Sequence, residues 1–288
     1  MEIVDLIKES YGGQSRVRKN ISDYILANPL QSCFFSLKEF AEALNITEAT
    51  VISYGKSIGF GSYLEMKKAL QNYSMAEFSS QERLSLLASQ SASFDGLFKR
   101  VERSEIGLLR SMFEHNPPEH IRKIIERIKQ AACVFTAGHN VARMFADYFS
   151  WRLNSLGIVS DSLDLNNITL CLDKISSEVP SKNLLIVMTM TPYGKPTLAL
   201  AGVCKKIGTP VIAVTDSEYS PVVKSADETL LVQTELLGLT NSPTAMFSLV
   251  NLITILIQFE LQQDGRQPIE KRSDSLKDLY TDLLSDIS

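Results

Sequence analysis

The sequence predicts two domains of different class, a small all-helical domain at the N-terminus and a three-layer α/β domain after it. Short helix patterns with recognisable caps fill residues 1–75. A serine-rich stretch over residues 74–93 then interrupts them, which is typical of a domain boundary. From Pro117 onward, apolar strand patterns alternate with helix patterns, as in a parallel sheet covered by helices on both faces.

Length and composition fit two globular domains. The chain has 288 residues, of which 44% are hydrophobic and 22% are charged. Its start lacks the basic segment and apolar run of a signal peptide, and no window approaches about 18 uninterrupted apolar residues. We therefore expect a cytoplasmic protein without a membrane partner.

The charge distribution limits how the protein can contact nucleic acids. The net charge of −4 argues against broad affinity for them. Residues 1–75 carry eight basic and eight acidic side chains, so this part is neutral. Any contact with DNA must come from the local placement of a few side chains.

Neither the cysteines nor the histidines predict a metal or cofactor site. The cysteines lack ligand spacing and are expected to be reduced thiols: Cys33, Cys133, Cys171 and Cys204. The histidines form no metal motif: His115, His120 and His139. We assign no cofactor, no metal and no catalytic residue.

Four helix patterns follow one another in the N-terminal part. The first, "RVRKNISDYILANP", ends at Asn28-Pro29. The second opens with Ser36 and Glu39 in capping-box spacing. The third begins at Thr47 as its N-cap, and the fourth, "SYLEMKKALQNY", follows Gly61.

Two helices joined by a turn of about three residues, packed against a preceding helix, describe a helix-turn-helix. The outer face of the third helix is short or polar, which suits the major groove of DNA. The predicted DNA contacts are Thr47, Glu48, Thr50, Ser53, Tyr54, Lys56, Ser57 and Lys38. Candidate phosphate contacts are Arg16, Arg18, Lys19, Lys38, Lys67 and Lys68. The alternatives are a helical hairpin that serves only as a bundle, and ordinary solvated surface charge.

The second part reads as β-α-β-(α)-β-α-β-β-α, with ligands expected at the carboxyl ends of the strands. Its strands are "ACVFTAG", "IVSDS", "NLLIVMTM", "PVIAVTD" and "ETLLVQT". The last helix, "SPTAMFSLVNLITILIQFELQQ", is very apolar and suits burial in its own core or against a second subunit.

The turn between "NLLIVMTM" and the next helix combines hydroxyl groups with a glycine. Because the first turn of a helix presents unpaired N–H groups, such a turn can hold a phosphate. Pro192 removes one N–H donor from it, whereas Pro196 is harmless as an early helical residue.

These motifs resemble the RpiR-type transcriptional regulators. "TEATV" at Thr47 to Val51 and "IGF" at Ile58 to Phe60 match the helix-turn-helix of that family in order and spacing. "VFTAGHNVARMFADYF", "NLLIVMTMTPYGKPT" and "PVIAVTDSEYSPVVKSADETLLV" resemble its sugar isomerase (SIS) domain in the same order. The resemblance implies an all-α helix-turn-helix domain plus a flavodoxin-like parallel sheet.

The resulting domain prediction is a helix-turn-helix domain over 1–75, a linker over 76–105, a SIS domain over 106–265 and a helical tail over 266–288. The resemblance implies a sugar-phosphate site at two loops, with these residues: Gly138, His139, Asn140, Thr189, Thr191, Tyr193, Gly194, Lys195 and Thr197. It also implies a double-stranded DNA operator, a phosphorylated sugar or related effector, and a homodimer or homotetramer.

The sequence departs from the family at both sites. Ser53 stands where many relatives carry an arginine, and the phosphate loop has Pro192 for a glycine and Pro196 for a carboxylate. Three functions therefore remain open: a ligand-sensing regulator, a SIS-type isomerase or lyase that uses His139 or Glu235, and a SIS domain that serves only for oligomerisation.

Overall fold

The computed structural model describes residues 2–78, 81, 82, 85, 93–176, 179–234 and 241–263. They fall into two compact units, one up to Gly107 with residues 234–242, the other from Leu108 to Gln233 and from Pro243 onward. The predicted tail over 266–288 lies outside the described residues.

The first unit is built of short helices. They are α1 (Ile3–Ser10), α2 (Arg16–Ala27), α3 (Pro29–Ser32), α4 (Leu37–Ala43), α5 (Glu48–Ser57) and α6 (Tyr63–Glu77), with a 3-10 turn at Tyr11–Gly13. Sequence patterns identify α2, α4, α5 and α6 but miss α1 and α3. The next helix, α7 (Phe94–His115), contributes residues to both units.

Side-chain caps set the start of the two helices of the predicted helix-turn-helix. The Ser36 hydroxyl accepts from the Glu39 N–H at 3.2 Å, and the Glu39 carboxylate accepts from the Ser36 N–H at 2.7 Å. The Thr47 hydroxyl accepts from the Thr50 N–H at 3.2 Å. Both predicted caps are confirmed.

The second unit is a five-stranded parallel sheet covered by helices. Its strands are β1 (Val134–Gly138), β2 (Ser160–Leu163), β3 (Leu184–Thr189), β4 (Val211–Thr215) and β5 (Glu228–Leu231). Its further helices are α8 (Pro118–Gln130), α9 (Val141–Ser155), α10 (Ile168–Ser176), α11 (Lys195–Ile207) and α12 (Thr244–Gln263), with 3-10 turns at Pro180–Lys182 and Pro221–Ser225.

The strand order is β2-β1-β3-β4-β5, with every neighbouring pair parallel. This confirms the predicted flavodoxin-like three-layer architecture. Because the chain moves outward from β1 in opposite directions on the two sides, the order reverses between β1 and β3. In such sheets a crevice opens at this point, outside the carboxyl ends of the strands.

Two apolar cores cover the two faces of the sheet. Met188 packs on the side of α9 and α12, and its neighbour Val187 packs on the side of α11, as the alternation of a strand requires. By the same alternation, Thr189 faces the α11 side.

Helix α12 has the length and hydropathy of a membrane-spanning helix. One face of this helix is nevertheless buried inside the second unit, because Leu249, Ile253 and Ile257 belong to the apolar core that covers the sheet. Ile255 and Phe259 on its other face are 56% and 57% exposed. Burial in its own core is therefore confirmed for one face, and the other face is left for a further contact.

Candidate functional site

The exposed face of α5 carries most of the predicted DNA contacts. Glu48, Ser53, Lys56 and Ser57 are exposed, and Thr50 is partly exposed. The capping residue Thr47 is also exposed, and its hydroxyl lies 2.8 Å from that of Thr50. On α4, the exposed Lys38 ammonium lies 3.8 Å from the Glu42 carboxylate. These side chains remain available to a DNA surface.

Tyr54 does not lie on this face, and its prediction as a DNA contact is wrong. It is fully buried, because it shares the inner stripe of α5 with Val51 and Ile58. Its hydroxyl lies 2.8 Å from that of Ser22 on α2. Burial raises the pKa of Tyr54 to about 12, although hydrogen bonds with Ser22 and Gln14 oppose this shift.

Two of the predicted phosphate contacts are buried as well. Lys67 and Lys68 on α6 are only 8% and 5% exposed. The Lys68 ammonium donates to the Thr234 hydroxyl at 2.9 Å. Because α6 packs against its neighbours along this side, neither lysine is presented as a surface cation, and both predictions are wrong.

Arg18 supplies a cation to the α5 face from a different helix. It lies on α2, and its guanidinium Nη2 donates to the Ser53 hydroxyl at 3.3 Å. Arg18 is one of the predicted phosphate contacts. The structure instead puts its guanidinium on the exposed face of α5.

The predicted ligand loops meet at the reversal point between β1 and β3. Gly138 is the last residue of β1, and Asn140 caps α9 with a left-handed φ of 53°. A Cβ at Gly194 would lie 2.8 Å from the Cβ of His139, so the second loop packs directly on the first. The N-termini of α9 and α11 thus lie side by side at the carboxyl edge of the sheet.

Glycine is required at Gly138 by the backbone that follows it. A Cβ there would lie 2.4 Å from the carbonyl oxygen of Ala142 and 2.9 Å from the nitrogen of Arg143. Since both atoms belong to the first turn of α9, the end of β1 can approach this helix only without a side chain.

The β3–α11 loop, residues 190–194, is largely buried at its start and open at its end. Thr189 and Thr191 are each 2% exposed, whereas Lys195, the first residue of α11, is exposed. The Thr191–Pro192 peptide is cis. The Thr191 N–H donates to the Asp216 carboxylate at 3.1 Å.

Tyr193 and Asp216 form the polar side of this loop. Burial raises the pKa of the Tyr193 phenol, and the negative charge of Asp216 raises it further. The Asp216 carboxylate and the Thr191 and Ser220 hydroxyls lie around the Tyr193 phenol. Tyr193 is therefore held as a neutral phenol and cannot serve as a base near neutral pH.

Two hydroxyl groups between the sheet and α11 have no hydrogen-bond partner. Thr197, in the first turn of α11, and Thr215, at the end of β4, are 0% exposed, and their Oγ1 atoms are unpaired. Thr215 pairs in register with Thr189, so both point to the α11 side. A buried hydroxyl left unpaired costs about 1–3 kcal/mol, so such groups are expected where a ligand completes them.

The other predicted ligand-site residues stay untested, or lie outside the residues that the structure describes. His139 is partly buried and Asn140 is exposed. Glu235 lies outside the described residues. In the part of the chain that the structure describes, no group of three or more His, Cys, Asp or Glu side chains is arranged to hold a metal ion.

Family comparisons agree with both halves of this geometry. Residues 1–77 match the helix-turn-helix domain of the rpiR family, and residues 128–256 match the SIS domain. The chain belongs to the RpiR family. It is a helix-turn-helix regulator that carries a SIS domain.

Proteins similar to this chain in sequence are also described as HTH-type transcriptional regulators. It is 22% identical over 231 residues to an uncharacterised HTH-type transcriptional regulator of Haemophilus influenzae, covering 80% of this chain and 79% of the relative. It is 25% identical over 231 residues to the HTH-type transcriptional regulator RpiR of Escherichia coli K12, covering 75% and 71%.

Solved structures share the fold. The sugar isomerase domain of an RpiR transcription factor from Sphaerobacter thermophilus matches with a TM-score of 0.53 at 26% identity, covering 63% of this chain and 97% of that one. Vibrio vulnificus NanR, complexed with ManNAc-6P, matches with a TM-score of 0.53 at 18% identity, covering 99% and 98%.

Sequence reasoning missed Asp216, which contributes a charge to the predicted ligand loop. The position of Asp216 could have indicated this, because Asp216 directly follows β4, and β4 is the neighbour of β3 in the parallel sheet. Because neighbouring parallel strands end at the same edge of the sheet, the polar residues that follow two such strands lie close together and can belong to one site.

Proposed function

We propose that this RpiR-family protein is a cytoplasmic transcriptional regulator whose SIS domain senses a phosphorylated sugar or related metabolite. Its α4–α5 surface binds a double-stranded operator, and the ligand alters that binding. A ligand can do so only by binding more tightly to one arrangement of the two DNA-binding units than to another.

The sensing half rests on one observation, the close packing of the β1 and β3 loops at the carboxyl edge of the sheet. His139 packs on Gly194, and two buried hydroxyls nearby in the fold, those of Thr197 in the first turn of α11 and Thr215 at the end of β4, are unpaired. Unpaired buried hydroxyls favour a ligand with its own donors and acceptors. The complex of NanR with ManNAc-6P, a protein of the same fold, supports this class of ligand.

Regulation fits the site better than catalysis. An isomerase needs a base near the sugar, and Tyr193 is held neutral by burial and by Asp216. His139 packs against Gly194 of the second loop. We therefore propose that the SIS domain of this protein binds its ligand without turning it over.

Thermal unfolding with a panel of sugars and their 6-phosphates, ManNAc-6P among them, tests the sensing half. We expect at least one compound to raise the Tm of the full chain. Thr197→Val should abolish this rise at no cost in stability without ligand, because the hydroxyl it removes is unpaired. No response to any compound would refute sensing by this domain.

Thr136→Val is the matched control for that substitution. Thr136 is also a fully buried threonine of the same unit, but its hydroxyl donates to the Ala146 carbonyl at 2.8 Å. Its replacement should lower stability by about 1 kcal/mol and leave the ligand response intact.

Binding of the full chain to DNA from upstream of its own gene tests the operator half. Lys56→Ala should weaken binding and reduce the salt dependence, because Lys56 is exposed on α5. Lys8→Ala, which removes an exposed lysine from α1, is the control. Equal effects of the two variants would contradict recognition through α5.

We further propose that the protein is a homodimer or homotetramer held partly by its SIS domain. Met144 and Trp151 on α9 are exposed, and so are Ile255 and Phe259 on α12. The two helices are neighbours, joined by a hydrogen bond between Tyr148 and Asn251 at 2.7 Å. Light scattering should show a smaller mass for Trp151→Glu combined with Phe259→Glu than for the wild type.

A further inference from the structure

A cavity of about 690 Å³ lies at the amino edge of the sheet, where the strands begin. Its walls come from the last turns of α8, from residues 131–132 before β1, from residues 181–184 at the entry to β3, and from Pro210 before β4. The predicted sugar-phosphate loops lie at the opposite, carboxyl edge. The volume falls within the range of about 300–1,000 Å³ that is typical of small-molecule sites.

Hydrogen bonds fix the walls of this amino-edge cavity. The Ala132 N–H donates to the Lys182 carbonyl at 2.8 Å, which joins the segment before β1 to the segment before β3. Asn183 is 3% exposed, and its side-chain amide donates to the Ile175 carbonyl at 3.1 Å. A cavity whose walls are already held in place needs little ordering when a ligand binds.

Cations outnumber acids among the charged residues of the lining. Lys123, Arg127 and Lys182 line the cavity together with one carboxylate, that of Glu126. Lys123 and Arg127 are four positions apart on α8, so they lie on the same face of this helix. The cavity therefore presents positive charge to a molecule that enters it.

Glu228, at the start of β5, neutralises only part of this charge. Its carboxylate contacts the Lys123 ammonium and lies 3.4 Å from Nη2 of Arg127. One carboxylate between two cations leaves one positive charge over, and a guanidinium has five N–H donors. Lys182 is exposed and has no ionic partner among the residues that the structure describes.

The lining combines these donors with hydrocarbon surface. A planar guanidinium beside an ammonium suits a carboxylate or a phosphate group, which accepts charge-assisted hydrogen bonds from both. Ala131, Leu184 and Pro210 line the same cavity and offer apolar contact to the rest of a ligand. The chemistry that fits is an organic anion, with a charged head and an apolar body.

We propose that the amino-edge cavity is a second ligand site of the SIS domain, and that it binds a small organic anion whose carboxylate or phosphate group is held by Arg127 and Lys182. The inference does not rest on the proposed function, because the two sites share no residue. A regulator with both sites would respond to two different metabolites.

Calorimetric titration of the full chain at constant ionic strength tests the site with three matched probes. Benzoate and phenyl phosphate carry the two candidate head groups on one apolar ring, and benzyl alcohol carries no charge. We expect at least one of the two anions to bind and benzyl alcohol not to bind. Lys182→Gln and Arg127→Gln should each weaken binding of that anion about fivefold.

Arg122→Gln is the matched control, because Arg122 is an exposed arginine of the same helix that does not line the cavity. It should bind the anion like the wild type. Glu228→Gln should bind it more tightly, since the competing carboxylate is removed. Circular dichroism reports whether each variant is folded.

Three results would overturn the proposal. The first is that the folded wild type binds neither anion at millimolar concentration. The second is that Arg122→Gln weakens binding as much as Arg127→Gln and Lys182→Gln do. The third is that benzyl alcohol binds as tightly as the anions, because the cavity would then select the apolar ring and not the charge.

The two edges of the sheet can be tested separately. A sugar phosphate bound at the carboxyl edge should lose its effect on the Tm in Thr197→Val and keep it in Lys182→Gln. An anion bound at the amino edge should show the reverse. Failure of sensing at the carboxyl edge is therefore distinguishable from failure of this second site.

Discussion

The guanidinium of Arg18 on α2 donates a hydrogen bond to the hydroxyl of Ser53 on α5, over 3.3 Å. The contact links residues 35 positions apart and places a planar cation on the exposed face of α5. Arginine held in this way can read guanine in the major groove or bind phosphate.

We expect Arg18→Ala to weaken operator binding about tenfold or more at fixed salt, since a good arginine–guanine pair contributes about 1–3 kcal/mol. Ser53→Ala should have a smaller effect, because it removes one neutral hydroxyl from the α5 face and leaves the guanidinium itself in place. Fluorescence anisotropy with operator and scrambled DNA measures both. If Arg18→Ala weakens both DNAs equally, Arg18 contacts phosphate and does not read bases.

The buried Tyr54 predicts a loss of stability at alkaline pH. Its pKa is raised from 10.0 to about 12, so the folded unit retains the phenol proton more strongly than the unfolded chain. The resulting stabilisation is fully present below pH 10 and is lost as the pH rises toward 12, by about 2 kcal/mol.

Tyr54→Phe is the variant that isolates this effect. Denaturant unfolding of the N-terminal unit should show a shallower fall in stability between pH 10 and 12 than the wild type. Because Tyr54 is buried, operator affinity at neutral pH should stay unchanged. A large loss of affinity in a folded variant would argue that Tyr54 reaches the DNA after all.

Glu228 at the start of β5 predicts acid sensitivity of the SIS domain. Burial raises the pKa of its carboxyl, but the hydrogen bond and charge of Lys123, with the charges of Arg127 and His120, outweigh burial and lower it below 4.5. The Arg127 and His120 nitrogens each lie 3.4 Å from the carboxylate.

Because the folded pKa is lowered, Glu228 stabilises the fold above pH 4.5, and this contribution is lost as the pH falls through the folded value. Glu228→Gln should lower the free energy of unfolding by about 1 kcal/mol at pH 7. It should also make this free energy fall less steeply as the pH is lowered. Glu126→Gln, at an exposed position on α8, is the control. Parallel acid profiles for wild type and Glu228→Gln would contradict the assignment.

Replacement by alanine should lower the free energy of unfolding by different amounts at Gly138 and at Gly194. At Gly138 an added Cβ meets backbone atoms of α9, at 2.4 Å, whereas at Gly194 it meets the His139 side chain, at 2.8 Å. Gly138→Ala should therefore cost about 3 kcal/mol, and Gly194→Ala about 1 kcal/mol. Thermal unfolding orders the two, and equal costs would show that His139 cannot move.

The sequence by itself determined the class of both domains and most of their helices and strands. Ser36, Glu39 and Thr47 mark helix starts, because caps act within three residues along the chain. The apolar run of β3 identifies a strand buried on both faces, and the alternation of strands with helices identifies a parallel sheet. These signals are local, so they need no knowledge of what packs against them.

Only the tertiary structure decided which side chains meet. Helical spacing already places Tyr54 with Val51 and Ile58 on the inner stripe of α5, but only the packing shows that its hydroxyl meets Ser22 on α2. Asp216 reaches Thr191 from 25 positions away, because β3 and β4 are parallel neighbours in one register. Such contacts depend on strand order and helix packing, which residues far apart in the chain set together.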